Sequence, residues 1–424
     1  MENNDLKAII IDQKEELNIR KKVIEREFLE NYKKYLKTGL IKVVFGIRRC
    51  GKSTLCSQLL SGEKFAYANF DDERLSSLKT EDLNRVLEIF YEIYPDFKYI
   101  FLDEVQNIYG WELFVNRLHR NGLNVVVTGS NAKLLNQELT THLTGRHFAL
   151  EMFPFSFREF LRYYDVNYDL KLLSTQDKGI IKNRFNEYIK AGGFPELLNN
   201  EVLPNLYLRY LYSDIIEKDV ILRKKIKYIR TMKDIATYLL SNCSNPVSYN
   251  KIKNIFSLKS IHTAINYLSY LEESYLFFFL RRISYKNKES IVSNRKVYVV
   301  DSGIISALGS GFSQNLGKIY ENIVAIELLR RKTSALSELF YWQDYQKKEV
   351  DFVVKEGHTV IKLIQVSYDL SKEDTRKREI SNLIKASQEF NCNDLSIITA
   401  DIEDEETIGN KKIKCIPLWK WLLE

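Results

Sequence analysis

The chain has 424 residues, of which 45% are hydrophobic and 28% charged, and its formal net charge is +7. This length is too great for one ordinary hydrophobic core and predicts about two to four domains. The composition is typical of a soluble globular protein. A net charge this mild permits a polyanionic partner without requiring one.

Three features argue against secreted and membrane-bound classes of protein. The five cysteines are odd in number and no pair has zinc-ligand spacing, so neither a disulfide framework nor a metal cluster is indicated. The N-terminus is charged from its start and lacks the apolar run of a signal peptide. The longest apolar patch, Tyr275–Leu280, is far too short to span a membrane. We therefore expect a cytoplasmic protein with no membrane partner.

The stretch VVFGIRRCGKSTL, residues Val43–Leu55, overlaps an apolar run that predicts a buried parallel strand. The stretch has the spacing of a phosphate-binding loop: glycine, any four residues, glycine, lysine and serine. In such a loop, backbone N–H groups and a helix N-terminus face the phosphates. A chance glycine-lysine turn is the alternative, and the strand before and the helix after argue against it. The candidate nucleotide-binding residues are Gly46, Ile47, Arg48, Arg49, Cys50, Gly51, Lys52, Ser53 and Thr54.

An acidic pair supplies the partner that a phosphate-binding loop requires. Tyr99–Leu102 predicts a second apolar strand, and Asp103 and Glu104 follow it directly. Lys52 is expected to contact the β- and γ-phosphates of ATP, while Ser53 and Asp103 are expected to hold Mg²⁺. Glu104 is placed to polarise the attacking water, which favours an ATPase over a small-molecule kinase. A solvated strand end is the alternative interpretation of the pair.

A third predicted strand, Asn124–Val127, is followed by small polar residues. If this strand lies between the other two, Ser130 or Asn131 would contact the γ-phosphate or the water. A turn that caps the next helix is an almost equally good interpretation. Further along, Arg146 follows a glycine and is a candidate catalytic arginine, as a sensor of the γ-phosphate or an arginine finger.

The segments GIRRCGKS, FLDEVQNI, VTGSNAKLL, LTGRHF, FPFSFREFL and AGGFPE together resemble those of bacterial and archaeal AAA-type ATPases of the "ATP-binding protein" kind. The likeness covers nearly the whole chain. In that family, a C-terminal domain of uncharacterised function resembles the PD-(D/E)XK nuclease fold. The resemblance implies an AAA-like ATP-binding core, a helical region, a winged helix and a nuclease-like end. The residues to which it assigns nucleotide-site roles are Lys52, Ser53, Asp103 and Glu104, and less directly Ser130 and Arg146.

The middle of the chain first predicts amphipathic helices, from about Arg158 to Arg230, because apolar residues recur at helical spacing. Three charged residues on these helices, Lys218, Asp219 and Arg223, belong either to a solvated face or to a neighbouring nucleotide site. The order from Thr231 onward is helix, turn, helix, turn, helix and then a strand pair. This order is typical of a winged helix-turn-helix.

The predicted wing, Arg281–Lys296, is strongly basic and would straddle the phosphates of double-stranded DNA. The presumed recognition helix before it is not basic, so a protein contact stays open as well. We call this segment the basic wing; its charged residues are Arg281, Arg282, Lys286, Lys288, Arg295 and Lys296, with the single acid Glu289.

After Asp301 the pattern changes to that of a small α/β domain, and its layout resembles the PD-(D/E)XK core. In that fold, three acidic groups bind a divalent metal and a lysine activates water. Glu321 and Asp351 match the first two positions, but Gln365 and Ser367 stand in place of the third acid and the lysine. A neutral amide binds Mg²⁺ more weakly than a carboxylate, and serine supplies no ammonium.

This departure favours a degenerate nuclease fold that serves binding or assembly. The acids Glu349 and Asp351 would then be structural and pair with Arg330 or Arg331. A lysine that has migrated from elsewhere in the chain is the alternative, and it would allow a metal-dependent nuclease.

The sequence thus predicts an α/β protein: a P-loop NTPase (AAA-like) parallel sheet with helices on both faces, a helical and winged-helix region, and a small α/β restriction-endonuclease-like domain. The predicted boundaries are 1–37 for an N-terminal helical extension, 38–160 for the ATPase core, 161–230 for a helical lid, 231–300 for the winged helix and 301–424 for the nuclease-like domain.

The predicted function is ATP hydrolysis that drives a conformational switch, with ATP and Mg²⁺ bound. Double-stranded DNA, another protein or a second copy of the chain would be the partner. Two other functions stay open: an ATP-regulated nuclease, and a nucleotide-gated DNA-binding regulator or scaffold with little turnover.

Overall fold

The computed structural model describes residues 1–18, 23–27, 29–130, 145–199, 203–284, 293–309, 315–332 and 336–424. Four residues named in the predictions, Asn131, Lys286, Lys288 and Glu289, lie outside these ranges. The chain divides into two units. The first comprises Met1–Pro154 with Glu273–Tyr275, and the second comprises Phe155–Glu272 with Leu276–Glu424.

The first unit is built on a parallel sheet. Its strands are β1 (Ile41–Gly46), β2 (Phe65–Asn69), β3 (Tyr99–Asp103), β4 (Asn124–Gly129) and β5 (His147–Met152). They are hydrogen-bonded in the order β2-β3-β4-β1-β5, and every pair is parallel. The residues of β1, β3 and β4 are almost all buried, as near-continuous apolar runs predict, whereas those of the edge strand β5 are mostly not. Because β4 lies between β1 and β3, the carboxyl ends of these three strands lie side by side.

Helices pack beside this sheet. They are α1 (Asn3–Asn18), α2 (Leu29–Leu36), α3 (Lys52–Leu59), α4 (Leu83–Ile93) and α5 (Trp111–Arg120). The apolar faces of α4 and α5 are buried in one core with the sheet, where Phe90 and Phe114 join Ile100 and Val125. This core fixes the sheet from which the site residues project.

The second unit contains a mixed sheet. Its strands are β6 (Pro246–Val247), β7 (Phe277–Arg282), β8 (Arg295–Val299), β9 (Ser337–Gln343), β10 (Glu349–Glu356), β11 (Thr359–Val366), β12 (Leu395–Thr399), β13 (Asp404–Ile408) and β14 (Lys411–Pro417). Their order is β13-β14-β12-β11-β10-β9-β7-β8-β6. The sheet therefore joins strands from the predicted wing to strands of the predicted nuclease-like domain.

The helices that follow β5 in the chain are α6 (Phe157–Tyr163), α7 (Thr175–Ala191), α8 (Pro204–Asp214), α9 (Ile229–Ser241), α10 (Tyr249–Ile255), α11 (Ile261–Glu273), α12 (Ser302–Leu308), α13 (Leu316–Arg330), α14 (Glu373–Phe390) and α15 (Leu418–Trp421). A π-helical segment, Ile215–Leu222, continues α8 directly. Ser248 caps α10 by accepting a hydrogen bond from the Lys251 N–H.

The strand β7 lies between two neighbours. It pairs antiparallel with β8, as the predicted strand pair requires. It also pairs in parallel with β9, where Arg281 lies opposite Phe340 and Arg282 lies opposite Tyr341. Strand β7, which leads into the basic wing, is therefore an inner strand of the large sheet.

The backbone of the turn after α7 is closely packed. The Gly193 N–H donates to Asp301 Oδ2 at 2.7 Å, and the Phe155 N–H donates to the Gly193 carbonyl at 2.7 Å. A Cβ at Gly193 would lie 2.3 Å from the Phe155 carbonyl oxygen. Only glycine fits there, because no side chain can be placed so close to a carbonyl.

The α/β class is confirmed, with a parallel sheet in the first unit and a mixed sheet in the C-terminal part. Within the described ranges, no helix is both long enough and apolar enough to cross a membrane. The winged-helix and nuclease-like assignments and the five domain boundaries stay predictions.

Candidate nucleotide-binding site

The predicted phosphate-binding loop connects the end of β1 to the start of α3. Gly46 has a φ of +149°, and a Cβ there would lie 2.0 Å from the Met152 carbonyl oxygen. Gly51, with a φ of +95°, precedes α3. Because glycine has no side chain to cap them, the N–H groups of the first turn of α3 are left for a phosphate, together with the positive end of the helix dipole.

Lys52 begins α3, and its side chain is only 4% exposed. Its ammonium donates to the carbonyl oxygens of Gly46 and Ile47 at 3.2 Å and lies 3.2 Å from Glu104 Oε1. Burial is the largest influence and would lower the pKa of Lys52, but the charges of Glu104, Cys50 and Asp103 and the hydrogen bond to Glu104 together raise the pKa. The loop therefore contains a full positive charge, held by contacts that phosphate oxygens can replace.

Asp103 ends β3 and is buried. Its carboxylate accepts hydrogen bonds from the hydroxyls of Ser53 and Thr128 and, at 3.3 Å, from that of Tyr67. Burial, followed by the charge of Glu104, raises the pKa of Asp103 above its usual range. A divalent cation would relieve both effects, and hydroxyl and carboxylate oxygens are ligands that Mg²⁺ prefers. Ser53 and Asp103 are therefore suited to hold Mg²⁺.

Glu104 adopts a φ of +49°, in the left-handed region that few non-glycine residues occupy. Its backbone N–H donates to Thr128 Oγ1 at 2.9 Å. Its carboxylate lies between the Lys52 ammonium and the side-chain amide of Gln106, which donates to Oε2. Burial is the largest influence and would raise the pKa of Glu104, but the charges of Lys52 and Arg48 and the hydrogen bonds from Gln106 and Lys52 together lower the pKa. The carboxylate is therefore ionised, as a base for water must be.

Three more residues of the predicted site lie near the loop. Ser130 follows β4, is buried, and accepts a hydrogen bond from Gln106 Nε2 at 3.4 Å. Arg48 forms an ion pair with Asp71 at 3.4 Å. Cys50 is buried, and burial raises the pKa of its thiol, so it packs the loop and is not a reactive thiolate.

Arg146 is not brought to the loop. Strand β5 runs parallel to β1, and the Arg146 carbonyl accepts from the Ile41 N–H where β1 begins. The loop leaves the other end of β1, about 17 Å away at roughly 3.3 Å per residue. The guanidinium instead donates to Asn116 Oδ1 at 3.0 Å. In this arrangement, Arg146 cannot reach a phosphate bound to the loop of its own chain.

Sequence reasoning missed three residues that support the site. Thr128 and Gln106 link the acidic pair to the end of β4. Both lie in sequence segments that carry the family resemblance, close to the predicted site residues Ser130 and Glu104. Arg26 is buried, and its guanidinium donates to the carbonyl oxygens of Cys50 at 3.4 Å and Phe153 at 2.6 Å. No local pattern pairs Arg26 with the loop, because the contact exists only in the folded chain.

A second cluster of charged side chains lies in the second unit. The Lys296 ammonium lies 2.8 Å from Glu321 Oε1, 2.7 Å from Asp351 Oδ1 and 2.6 Å from Glu349 Oε1. The Tyr298 hydroxyl donates to Glu321 Oε1 at 2.8 Å. Burial, followed by the charge of Asp351, raises the pKa of Glu321 to about 8. We call Lys296 and its three carboxylates the lysine cage.

The lysine cage corrects two expectations. The predicted pairing of its strand acids with Arg330 or Arg331 is wrong, since both arginines contact Glu327 instead. Lys296 was counted among the cations of the basic wing, but it is 1% exposed and held by three carboxylates. It is therefore not available to a DNA phosphate.

The residues of the cage do not fit a divalent metal. The Lys296 ammonium occupies the point on which the carboxylates converge. Gln365 accepts from the Asp351 N–H at 3.1 Å and donates to Glu379 at 2.9 Å. Among the described residues, no group of three or more His, Cys, Asp or Glu side chains is placed to hold a metal ion. Lys296 does come from a distant part of the chain, but its ammonium occupies the position that a metal ion would need.

Three family models match the chain in succession. Residues 38–161 match an AAA domain, residues 182–316 match a domain of unknown function (DUF8612), and residues 316–421 match another (DUF4143). The first match contains the phosphate-binding loop and the acidic pair, and it supports an ATPase-type function for this part of the chain. The other two give no support to the nuclease-like assignment.

Two solved structures are similar to parts of the fold. The Walker-type ATPase PABY2304 of Pyrococcus abyssi has a TM-score of 0.42 and 15% identity, over 69% of this chain and 99% of that one. The ORC1 protein of Aeropyrum pernix, solved in complex with DNA, has a TM-score of 0.35 and 13% identity, over 68% of this chain and 93% of that one. Scores this low carry no argument about function.

Two relatives align along most of the chain. The uncharacterized protein MJ1544 of Methanocaldococcus jannaschii is 37% identical over 400 residues, which cover 90% of this chain and 88% of the relative. An uncharacterized protein of Haemophilus influenzae is 29% identical over 425 residues, which cover 95% of this chain and all of the relative. The chain therefore belongs to the same family as MJ1544, and it combines an AAA domain with two domains of unknown function.

Proposed function

We propose that the first unit hydrolyses ATP to ADP and phosphate, and that this reaction drives a conformational change in the chain. One observation carries the proposal: the carboxyl ends of β1, β3 and β4 bring Lys52, Ser53, Asp103 and Glu104 into one partly buried network, in which Thr128 of β4 links the two acids. Such a network has the parts that phosphoryl transfer to water needs. Mg²⁺, held by Ser53 and Asp103 when it is bound with ATP, would neutralise charge on the phosphates.

Residues of the chain itself would bind the phosphates and activate the water. The N–H groups at the start of α3 would bind phosphate oxygens, and Lys52 would exchange its present partners for them. One oxygen of Glu104 would then lose its ion pair with Lys52. That oxygen would accept a proton from the attacking water, whose oxygen forms the new bond to the γ-phosphorus as ADP leaves.

Steady-state ATP hydrolysis by the full chain tests this proposal, with Lys52→Ala and Glu104→Gln as variants. We expect Lys52→Ala to weaken ATP binding, because it removes the buried positive charge of the loop. Glu104→Gln should still bind ATP, while its turnover falls about 10²- to 10⁴-fold. Lys64→Ala is the matched control, since that exposed lysine pairs with the exposed Asp96. Tight ATP binding by the wild type without any turnover would refute hydrolysis and leave a nucleotide-held switch.

We propose double-stranded DNA as the partner of the second unit, through the basic wing. Among the described residues of the wing, Arg281, Arg282 and Arg295 support this proposal after Lys296 is set aside, and Arg281 is exposed. DNA affinity measured at several salt concentrations tests it. Arg281→Ala should lower the slope of log affinity against log salt by about 0.9 for each phosphate that is no longer neutralised, while Lys377→Ala on the exposed face of α14 should not. No binding, with turnover indifferent to DNA, would point to a protein partner or a second copy.

We further propose that the lysine cage is structural and that the second unit is not a nuclease. The support is the position of Lys296, which satisfies the carboxylates that a metal would need. Incubation of plasmid DNA with the full chain and Mg²⁺ or Mn²⁺ tests this. Cleavage by the wild type that disappears in Asp351→Asn would refute the structural role.

A further inference from the structure

Gln106 lies in the short 3₁₀ turn Val105–Asn107, directly after the acidic pair. Its side-chain nitrogen donates to Glu104 Oε2 and, at 3.4 Å, to Ser130 Oγ. The side chain therefore spans the distance between the predicted base and the end of β4. It belongs to the site, although neither its type nor its spacing marks it in the sequence.

Charge fixes which way the Gln106 amide points. The Glu104 carboxylate pairs with the Lys52 ammonium at 3.2 Å and accepts a hydrogen bond from Gln106 Nε2, so the amide nitrogen faces it. The amide oxygen consequently faces away from the carboxylate.

The Gln106 amide oxygen is buried and has no hydrogen-bond partner among the described residues. Buried amide oxygens are nearly always paired, because leaving one without a donor is unfavourable. The Thr128 hydroxyl cannot serve, since it already donates to Asp103. Within the part of the chain that the structure describes, no group supplies this donor, and a water bound beside Glu104 would supply it.

We infer that Gln106 positions the attacking water of ATP hydrolysis, accepting one hydrogen of the water on its amide oxygen while Glu104 accepts the other. The inference rests on the proposed hydrolysis. A base alone leaves the water able to rotate about a single hydrogen bond, and a second acceptor removes that freedom. An amide oxygen is suited to the task because it does not take the proton, so Glu104 remains the base.

Gln106→Leu tests the inference, because leucine has similar volume and no polar atom. We expect kcat to fall about tenfold to a hundredfold and KM for ATP to stay within about threefold, since the water is ordered only for reaction. Asn107→Ala is the matched control on the same turn; its side chain donates to the Phe70 carbonyl at 3.0 Å and stands outside the acidic pair. If Gln106→Leu does not fold, the unbranched Gln106→Met replaces it.

A binding measurement gives a readout besides turnover. ADP with fluoroaluminate imitates the transferring phosphoryl group with its water in place, and ADP alone does not. We expect Gln106→Leu to bind ADP as the wild type does and to lose about tenfold or more of the additional affinity for ADP with fluoroaluminate. Equal losses for both ligands would indicate a structural role and overturn the inference.

A double variant separates the inference from the proposed function. In a Glu104→Gln background, Gln106→Leu should cost little more, because both residues act on one water. Unchanged kcat in Gln106→Leu, with Glu104→Gln inactive, would overturn the inference and leave ATP hydrolysis standing. No turnover by the wild type, with or without DNA, would refute the proposed function and the inference with it.

Discussion

At the scale of single residues, the hydroxyl of Thr128 connects two functions of the site. It donates to Asp103 Oδ1 and accepts from the Glu104 N–H at 2.9 Å. Glu104 has a left-handed backbone, a conformation that persists only when its surroundings hold it. The threonine thus fixes the acidic pair relative to the end of β4, and it does so without contact to a phosphate.

We expect Thr128→Val to lower the kcat of ATP hydrolysis about tenfold to a hundredfold. Valine keeps the shape but leaves the buried Glu104 N–H without an acceptor, at a cost of about 1–3 kcal/mol. Nucleotide affinity, measured by titration, should change by less than about threefold. Thr128→Ser keeps the hydroxyl and is the control; a kcat equally low in both variants would contradict this role.

The lysine cage gives the second unit a pH dependence. The pKa of Glu321 is about 8 in the fold against an ordinary value of 4.5. Between these values the folded chain retains a proton that the unfolded chain releases, so a rise in pH favours unfolding. Lys296 does not add to this, because its pKa is raised well above the ordinary value of 10.5 and its charge is constant in that range.

We expect the free energy of unfolding to fall between about pH 5 and pH 8, by up to about 1.4 kcal/mol per pH unit. Glu321→Gln should remove much of this slope, because an amide does not titrate. Urea unfolding at several pH values measures it, and the exposed Glu356→Gln on β10 is the control. A slope that survives in Glu321→Gln would contradict the assignment to this carboxyl.

At the scale of elements, the end of α7 is tied to two other parts of the second unit. Its glycine turn contacts the segment before α6 and the segment between β8 and α12, and both contacts involve backbone atoms. The AGGFPE motif that contributed to the resemblance therefore has a packing explanation. It joins elements that lie far apart in the sequence.

We expect Gly193→Ala to destabilise the second unit by about 2 kcal/mol or more, because the new Cβ would lie 2.3 Å from the Phe155 carbonyl oxygen. Gly179, inside α7, has open space at its Cβ position, with no other described element within 4 Å. Gly179→Ala is thus the matched control and should stabilise by up to about 1 kcal/mol. Thermal unfolding compares the two variants, and effects of the same sign would contradict this account.

At the scale of the whole molecule, the lysine cage crosses a boundary between family models. Lys296 lies in the region 182–316, while its three carboxylates lie in the region 316–421. Removing one partner of a buried ion pair is strongly destabilising, because the remaining charge is left uncompensated. We therefore expect the two regions to depend on each other for folding.

We expect a fragment of residues 316–424 not to fold cooperatively near pH 7, since it keeps the carboxylates and loses both Lys296 and strands β7 and β8. A fragment of residues 155–424 should show one cooperative thermal transition by circular dichroism. Lys296→Met in the longer fragment isolates the charge, and we expect a loss of about 3–5 kcal/mol. A stable fold of the shorter fragment would refute the dependence.

The sequence indicates the loop and the acidic pair because their chemistry is local: Gly46, Gly51 and Lys52 lie within one loop, and Asp103 ends one apolar strand. Their roles in ATP hydrolysis stay a prediction. The sequence does not place Arg146, because that residue's position follows from the direction in which β5 joins the sheet. Nor does it find the lysine cage, in which Lys296 meets an acid 55 residues away. Contacts of this kind depend on sheet order, which local pattern does not specify.

The position of β7 also has a mechanical consequence. A hairpin attached only at its base would bend at low force, like a cantilever. Near its carboxyl end, β7 is instead hydrogen-bonded on one side to β8 and on the other to β9. Displacing it would strain ladders on both sides at once, so we expect the strand to respond with the stiffness of the surrounding sheet. A force applied at Arg281 would be transmitted to β9 directly through the hydrogen bonds between the strands, and not through a loop.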